Sequence, residues 1–402
     1  MDISAHQETL ARWRNYLEVL GRELRDKRQR ASFALYALGL LSEGERKSME
    51  PIAARACGDP SRTQALHERF IHFLGDSPWK DEPIRRRATR YAVDAMQEQG
   101  PIRSWIVDDT GFIKQGKLSP GVQRQYTGSA GKTTNCQVGV SLVLATEHSH
   151  VASDFRLYIP ESWAEDRERC RRAHIPDKIK YEPKWCLALE MIEHALHTGL
   201  PRGVLLADCD YGNKFVFRDT LTAWNVQYAV EIQNTTKMSP LDSKGNLGAR
   251  ASAADIAARL EPKMKTITWR EGTKTTLRSR FARIRVRVDR EDMGVSEPEW
   301  LLVEWPKSET APTKFVLSTM PAKTTLKQMV RMFKTRWRIE RSYEDLKGEL
   351  GLDHYEGRSF VGWNHHVSVV LACYAFLVAE HARSFPPSAR SQRPDRTLPN
   401  AA

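Results

Sequence analysis

The chain has 402 residues and a formal net charge of +12, from 62 Lys and Arg against 50 Asp and Glu. Hydrophobic residues make up 41% of the sequence, as in globular proteins, and the length accommodates two or three domains. A basic excess of this size favours a polyanionic partner, most commonly nucleic acid. A basic protein without such a partner remains the alternative on charge alone.

The sequence argues against several classes of protein. No apolar run approaches the ~20 residues of a membrane span, and the first residues lack the basic start and apolar stretch of a signal peptide. The six cysteines are scattered without a CxxC pair, which disfavours a zinc ribbon or a disulfide framework. We therefore expect a cytoplasmic protein with no membrane partner.

Residues 1–97 have apolar side chains at helical spacing. Within them, two predicted helices flank a Gly-Asp-Pro turn, with Ser61 as the N-cap of the second. Arg62 and Gln64 open that second helix, where they could read a DNA groove. An ordinary helical hairpin explains this stretch equally well.

From Ser104 the pattern changes to short apolar or alternating runs bounded by turn residues, which predict strands. Three strands come in succession, and helices and strands then alternate; together they predict an α/β fold with a mixed sheet flanked by helices. The predicted strands are SWIVDDTGF, NCQVGVSLVLAT, HVASDFRLYIP, GVLLADCD and VQYAVEIQ, and the helices are PKWCLALEMIEHALHTG and FVFRDTLTAW.

Residues 234–320 interrupt this alternation with a polar, Pro- and Gly-containing start and then three more predicted strands. In the first of these strands, Arg283, Arg285 and Arg287 fall on one face. Both a solvated strand face and a DNA-facing stripe fit that pattern. A long helix ended by Gly351 follows, then an apolar helix and a Pro-, Ser- and Arg-rich tail from about Ser384 that is predicted to be disordered.

Acidic residues follow two of the predicted strands. Asp108 and Asp109 come after SWIV, and Asp208 and Asp210 come after GVLLA. DNA phosphoryl transfer through divalent metal needs carboxylates at the ends of buried elements, although a strand-end Asp can also simply begin a turn. Alternation along a strand puts Asp108 and Asp109 on opposite faces and does not choose between them.

The long helix carries a third candidate acid. At 100° per residue, Phe333, Arg336, Glu340 and Lys347 fall within roughly 60° of one another. An acid flanked by Arg and Lys suits a face that meets metal and phosphate, whereas a surface ion-pair ladder is the alternative. Glu344 lies near the same face and is the second choice.

The segment RWRIERSYEDLK, followed by GELGLDHYEGRS, resembles the C-terminal signature of bacterial insertion-sequence transposases of the DDE class. The resemblance is to the IS-seven-zero-one family, in the IS-four-like group with a Tyr-Arg-Glu-Lys signature. The signature positions here are Phe333, which replaces Tyr, Arg336, Glu340 and Lys347.

The resemblance implies which acids act. The family's first Asp is commonly followed by Thr, which selects Asp109, and its Glu corresponds to Glu340. LLADCDYG resembles the strand of the second Asp, which selects Asp208, with Asp210 in place of a Gly. The implied core is ribonuclease-H-like. The predicted organisation is a helical DNA-binding domain (1–97), a catalytic core (98–233 and 321–383), a β-rich insertion (234–320) and a disordered tail (384–402).

The implied activity is that of a DNA transposase, in which Asp109, Asp208 and Glu340 hold two Mg²⁺ ions, with Mn²⁺ able to replace them. The expected partners are double-stranded DNA, both the element's terminal inverted repeats and target DNA, and a second copy of the chain in a homodimer. A catalytically silent DNA-binding regulator and a nuclease without strand joining are the alternatives. The expected DNA-binding residues are Arg336, Lys347, Arg283, Arg285, Arg287, Arg62 and Gln64.

Overall fold

The computed structural model describes residues 3–271, 276–290 and 294–384. Fourteen α-helices lie in these ranges: α1 (Ile3–Gly21), α2 (Lys27–Leu41), α3 (Met49–Ala56), α4 (Thr63–Gly75), α5 (Asp81–Gln99), α6 (Glu161–Ala164), α7 (Arg167–Arg172), α8 (Lys184–His197), α9 (Cys209–Gly212), α10 (Phe215–Ala223), α11 (Ala253–Leu260), α12 (Leu326–Lys334), α13 (Arg338–Glu344) and α14 (Phe360–Ser384).

Twelve β-strands lie in the same described ranges. They are β1 (Ser104–Ile113), β2 (Gln123–Thr127), β3 (Lys132–Ala145), β4 (His150–Leu157), β5 (Val204–Ala207), β6 (Tyr228–Glu231), β7 (Lys237–Pro240), β8 (Ala251–Ser252), β9 (Lys265–Glu271), β10 (Thr276–Val288), β11 (Glu299–Glu304) and β12 (Lys314–Ser318). The predicted tail, apart from Ser384, lies outside the described residues.

The chain forms two compact units. Among the described residues, the first unit contains 3–101, 109–200 and 339–384, and the second contains 102–108 and 201–338 with its gaps. Strand β1 therefore begins in the second unit and ends in the first. The predicted domain boundaries do not coincide with these units and stay predictions.

Helix α14 is the central helix of the first unit. It packs along α5, where Ala95 meets Ala379 and Ala382, and the Tyr16 hydroxyl donates to its Ala372 carbonyl at 2.8 Å. Beside these helices, β3 pairs antiparallel with β2 and β4. In length and composition α14 is apolar enough to cross a membrane, but 78% of its apolar window is buried here. It is the core helix of this unit.

The sheet of the second unit is mixed. Its strand order is β1-β5-β6-β12-β11-β10-β7-β8, with β9 paired to β10. The pairs β1–β5 and β5–β6 are parallel, and the remaining pairs are antiparallel. This confirms the predicted α/β class with a mixed sheet, and residues 234–320 are rich in strands as predicted.

Helix α12 is fixed onto the strands of the second unit. A capping box begins it, in which the Thr325 hydroxyl accepts from the Gln328 amide and the Gln328 side chain accepts from the Thr325 amide. Near its end, the Lys334 ammonium donates to Glu304 on β11 at 2.7 Å. These contacts hold the segment that follows, which carries Arg336.

The long helix predicted over 324–350 is present, but it is not regular: a 3-10 segment (Thr335–Trp337) separates α12 from α13, and a π segment (Asp345–Glu349) ends the run. Its predicted end at Gly351 is confirmed, since that residue has φ +64°. Ser61 is not the N-cap of α4, because it lies inside a 3-10 turn (Pro60–Arg62) capped by Asp59.

Candidate active site

Acidic residues lie just beyond the paired residues of three parallel strands in the second unit. Continuing the strand register beyond its last pairs sets Asp108 level with Asp208, and Asp208 level with Glu231. Register-matched residues of parallel strands point to the same face of a sheet. The three carboxylates therefore share one face. The pairs that fix the register are Ile106 with Leu206, Leu206 with Ala229 and Ala207 with Val230.

Arg336 joins two of these carboxylates. Its Nη1 donates to Asp108 Oδ2 at 2.7 Å, and its Nε lies 3.8 Å from Glu231 Oε1. The Lys314 ammonium donates to the other Glu231 oxygen at 2.8 Å. Arg336 is 18% exposed and Asp108 17%, so the pair is shielded from water and strengthened by the lower dielectric.

The Asp208 segment approaches β6 closely. The Asp208 carboxylate accepts from the Asp210 amide at 3.0 Å and begins the short helix α9. A Cβ on Gly212 would lie 1.9 Å from the Glu231 carbonyl oxygen, so only glycine fits there. Asp210 is exposed, whereas Asp208 is half-buried at the strand end. These features support Asp208 over Asp210.

Asp109 has a different environment, within the first unit. Its Oδ1 accepts from the Lys184 ammonium of α8 at 2.9 Å, and its side chain is 15% exposed. Alternation along β1 points Asp109 to the face opposite Asp108.

Lys347, also in the first unit, contacts the residues that follow this acidic pair. Its ammonium donates to Thr110 Oγ1 and to the Gly111 carbonyl, each at 2.8 Å. It also lies 5.2 Å from the centre of the Phe112 ring. Burial lowers the pKa of Lys347. The contact therefore attaches the π segment to β1.

Glu340 and Glu344 differ in their contacts on α13. Glu340 is exposed in the first turn and makes no hydrogen bond or ion pair with the described residues. Glu344 pairs with Arg341 at 3.2 Å. The unpaired carboxylate suits an added cation better, which supports Glu340 over Glu344.

The predicted arginine stripe on β10 has the expected alternation, with Val286 and Val288 buried. Its guanidinium groups, however, bind backbone carbonyls: Arg283 that of Thr324, Arg285 that of Pro298 and Arg287 that of Ser296. Arg283 and Arg285 also lie over the Trp300 ring, at 4.1 and 4.9 Å from its centre. Burial lowers the pKa of both. A DNA-facing role for this stripe stays a prediction.

Arg62 and Gln64 are exposed at the start of α4, as contact with a DNA groove would require. The Gln64 amide donates to Glu68 on the same helix at 2.9 Å. Their role in reading DNA stays a prediction.

Glu231 is the site residue that the sequence analysis missed. It ends the observed strand β6, but in the sequence it lies inside the predicted strand VQYAVEIQ, so a search for acids that follow a strand does not find it. Its position beside Asp208 depends on strand pairing, which the sequence does not reveal.

The donor chemistry of these side chains fits a hard divalent cation, because carboxylate oxygens are its preferred ligands. Arg336 pairs with Asp108 and Lys184 pairs with Asp109, so each carboxylate already has a cationic partner. Among the described residues, no three acidic, His or Cys side chains already form a ready-made metal cluster. Arg336 contacts one of the two Asp108 oxygens, Oδ2.

Comparison with known proteins gives two family matches. Residues 19–276 match the family described as DDE superfamily endonuclease, and residues 184–376 match the Transposase DDE domain. The chain is also similar to the "Probable transposase for insertion sequence element IS701" of Microchaete diplosiphon, with 30% identity over 210 residues. That alignment covers 52% of this chain and 50% of that protein, so the chain spans about half the length of the curated relative it matches.

Proposed function

The chain belongs to the DDE superfamily of endonucleases, and from that membership we propose that it is a transposase that cleaves the ends of an insertion sequence and joins them to target DNA. The observation that carries this proposal is the acidic edge of the second unit, where Asp108, Asp208 and Glu231 share one face. Three carboxylates on one face of a sheet, with only the Arg336 and Lys314 side chains to offset their charge, are costly unless they serve a function.

We propose that Asp208 and Glu340 are two of the acting carboxylates. The half-buried strand-end position of Asp208 and the unpaired state of Glu340 support them. The third acid comes from the Asp108–Asp109 pair. The family resemblance favours Asp109, whereas the register with Asp208 and the contact with Arg336 favour Asp108. We propose Asp108 on that geometric ground, and Asp109 stays the prediction from resemblance.

The expected cofactor is a pair of divalent ions, Mg²⁺ in the cell with Mn²⁺ as a substitute. Held by these carboxylates, the ions would activate the attacking oxygen and stabilise the leaving one. Arg336 donates a hydrogen bond to Asp108 at 2.7 Å and so positions that carboxylate. When Asp108 takes up a metal ion, the Arg336 guanidinium would stay beside the Glu231 carboxylate.

Water would attack the phosphodiester at the element's end and leave a 3′-hydroxyl. That hydroxyl would then attack a phosphodiester of target DNA and expel a new 3′-oxygen, so one bond forms as another breaks. Arg336 and Lys347 would each supply positive charge to DNA phosphate groups. We also propose a homodimer in the DNA complex, because two element ends must be joined.

The test uses the full chain and DNA carrying the element's terminal inverted repeats, which sequencing beside the gene identifies. Divalent-ion-dependent cleavage followed by joining to a target plasmid is expected, and a chelator should stop both. Cleavage without joining would overturn the transposase proposal in favour of a nuclease. Binding without cleavage in Mg²⁺ or Mn²⁺ would overturn it in favour of a silent regulator.

Arg336→Ala and Lys347→Met should each slow cleavage by at least about 10- to 100-fold without unfolding the protein. Arg336→Lys should also be impaired, because a point charge cannot serve two carboxylates as a planar fork does. Cleavage rates and melting temperatures of each variant provide the measurement. Lys327→Ala, an exposed change on α12, is the matched control.

A surface ion-pair ladder would give a different result. Each replacement would then lower the free energy of unfolding by well under ~1 kcal/mol and leave the DNA cleavage rate unchanged. Near-normal cleavage by both variants would remove Arg336 and Lys347 from the active site.

A further inference from the structure

Two grooves of the first unit adjoin one another on the loop that follows β1. Their volumes are about 480 and 620 Å³, and they share Lys117, Leu118 and Arg358 as walls. Their combined walls carry six basic side chains and three acidic ones. The basic residues are Arg46, Lys114, Lys117, Arg169, Arg172 and Arg358.

Two of the three acidic side chains of these walls are occupied by partners, and the third, Asp353, lies 3.9 Å from His354. Glu356 pairs with Arg46 at 2.6 Å, and Asp166 accepts the Arg169 amide at 2.9 Å as the cap of α7. By contrast, Lys117, Arg172 and Arg358 are exposed and make no ion pair with the described residues. Three like charges around one continuous groove repel one another unless an anion lies between them.

The loop that presents Lys117 is held rigidly. The Arg169 guanidinium lies 3.7 Å from the centre of the Trp163 ring and donates to the Lys117 and Val122 carbonyls at 3.1 and 3.2 Å. The Trp163 indole donates to the same Val122 carbonyl at 2.8 Å. Burial lowers the pKa of Arg169. Arg169 is thus part of the scaffold, and Lys117, Arg172 and Arg358 remain to bind a ligand.

The first groove also follows the end of β1 along the chain. β1 carries Asp109 and ends at Ile113, four residues later, which is about 13 Å of strand. Ile113 and the residues up to Ser119 then line the first groove. Lys114 anchors this passage by donating to the Tyr355 carbonyl at 2.5 Å.

We propose that Lys117, Arg172 and Arg358 form a phosphate-binding track that holds the backbone of duplex DNA. This inference rests on the proposed function and specifies where its substrate lies. The track contacts phosphates, so it contributes affinity without reading sequence. The same chemistry would serve element-end DNA and target DNA.

The test compares the triple variant K117A/R172A/R358A with K244A/K307A/K323A, which removes three exposed charges of the second unit. Binding of each to a random-sequence duplex is measured against salt concentration without divalent ions. Each lost phosphate contact lowers the magnitude of the slope of log affinity against log salt by about 0.9. The slope of the track variant should therefore fall in magnitude by about 2.7, and that of the control variant by far less. Equal slopes for both triple variants would overturn the track.

This binding test does not depend on catalysis, so it stands even if wild-type protein fails to cleave DNA. With active protein, two further measurements identify the DNA. A higher KM for end cleavage with unchanged kcat would assign the track to element ends. Normal cleavage with weaker joining of pre-cleaved ends would assign it to target DNA. If both steps match those of the control variant, the track does not serve the reaction and the proposal fails.

Discussion

Asp208→Asn should reduce DNA cleavage by at least about 100- to 1,000-fold, the loss expected when one charge-stabilising group is removed from an active site. Asparagine keeps the side-chain oxygen that accepts the Asp210 amide, so α9 and its close approach to β6 should persist. Cleavage rate, DNA affinity and melting temperature are to be measured together. We expect the cleavage rate to fall while DNA affinity and melting temperature stay unchanged.

Asp210→Asn is the matched control, because it removes an exposed carboxylate two residues away. It should cleave DNA at close to the normal rate. If Asp210→Asn is inactive and Asp208→Asn is active, the assignment within ADCDYG is reversed. The same comparison of Asp108→Asn with Asp109→Asn decides which neighbour acts, and an inactive Asp109 variant beside an active Asp108 variant would favour the family resemblance.

Arg85→Ala should destabilise the first unit by about 3–5 kcal/mol, because it removes a buried cation from Asp81 and leaves Asp154 with Arg156 alone. Arg85 is 4% exposed on α5 and pairs with Asp81 of the same helix and, at 2.9 Å, with Asp154 on β4. Its Nη1 also donates to Ser368 on α14 at 2.8 Å. Denaturant unfolding at neutral pH gives the measurement.

Arg86→Ala is the control for this change. Arg86 is the next residue, half exposed, and lies 3.8 Å from Glu82, so its loss should cost less than about 1 kcal/mol. Similar losses for Arg85→Ala and Arg86→Ala would contradict a structural role of the buried cluster.

The stability that Arg85 provides should depend on pH. Burial opposes ionisation of Asp81, but the Arg85 charge and hydrogen bond outweigh it and hold the pKa of that carboxyl below its usual 3.8. A carboxyl with a depressed folded pKa stabilises fully above its unfolded value and loses that contribution as pH falls. The difference between wild type and Arg85→Ala should therefore shrink below about pH 4.

Sequence patterns predicted the strands with apolar runs or clear alternation and missed several short ones. β1, β3, β5 and β10 show apolar runs or alternation, which arise from burial. β2, β7 and β8 are short and largely polar, and only pairing with a neighbour makes them strands. Regular spacing also could not reveal the 3-10 and π segments within 324–350, because both are departures from the 3.6-residue repeat.

The candidate site was predictable in composition but not in arrangement. Asp208 and Glu340 could be proposed from a strand end and a helix signature. The choice between Asp108 and Asp109 needs the register with β5, which depends on hydrogen bonds between segments a hundred residues apart. The partners of Arg336 likewise depend on which strands end beside it, so the sequence predicted a phosphate contact where the structure has carboxylates.

The central position of α14 affects how the protein folds during synthesis. The hydrogen bond from Tyr16 joins residues 356 positions apart. The apolar face of α5 is likewise covered only after α14 has been synthesised. At about 5–20 residues per second, roughly 20–70 s separate the emergence of these segments from the ribosome. The early helices must remain unaggregated throughout that interval. Translation that stops before Phe360 would release chains whose first unit has no central helix, and we expect such products to aggregate or be degraded.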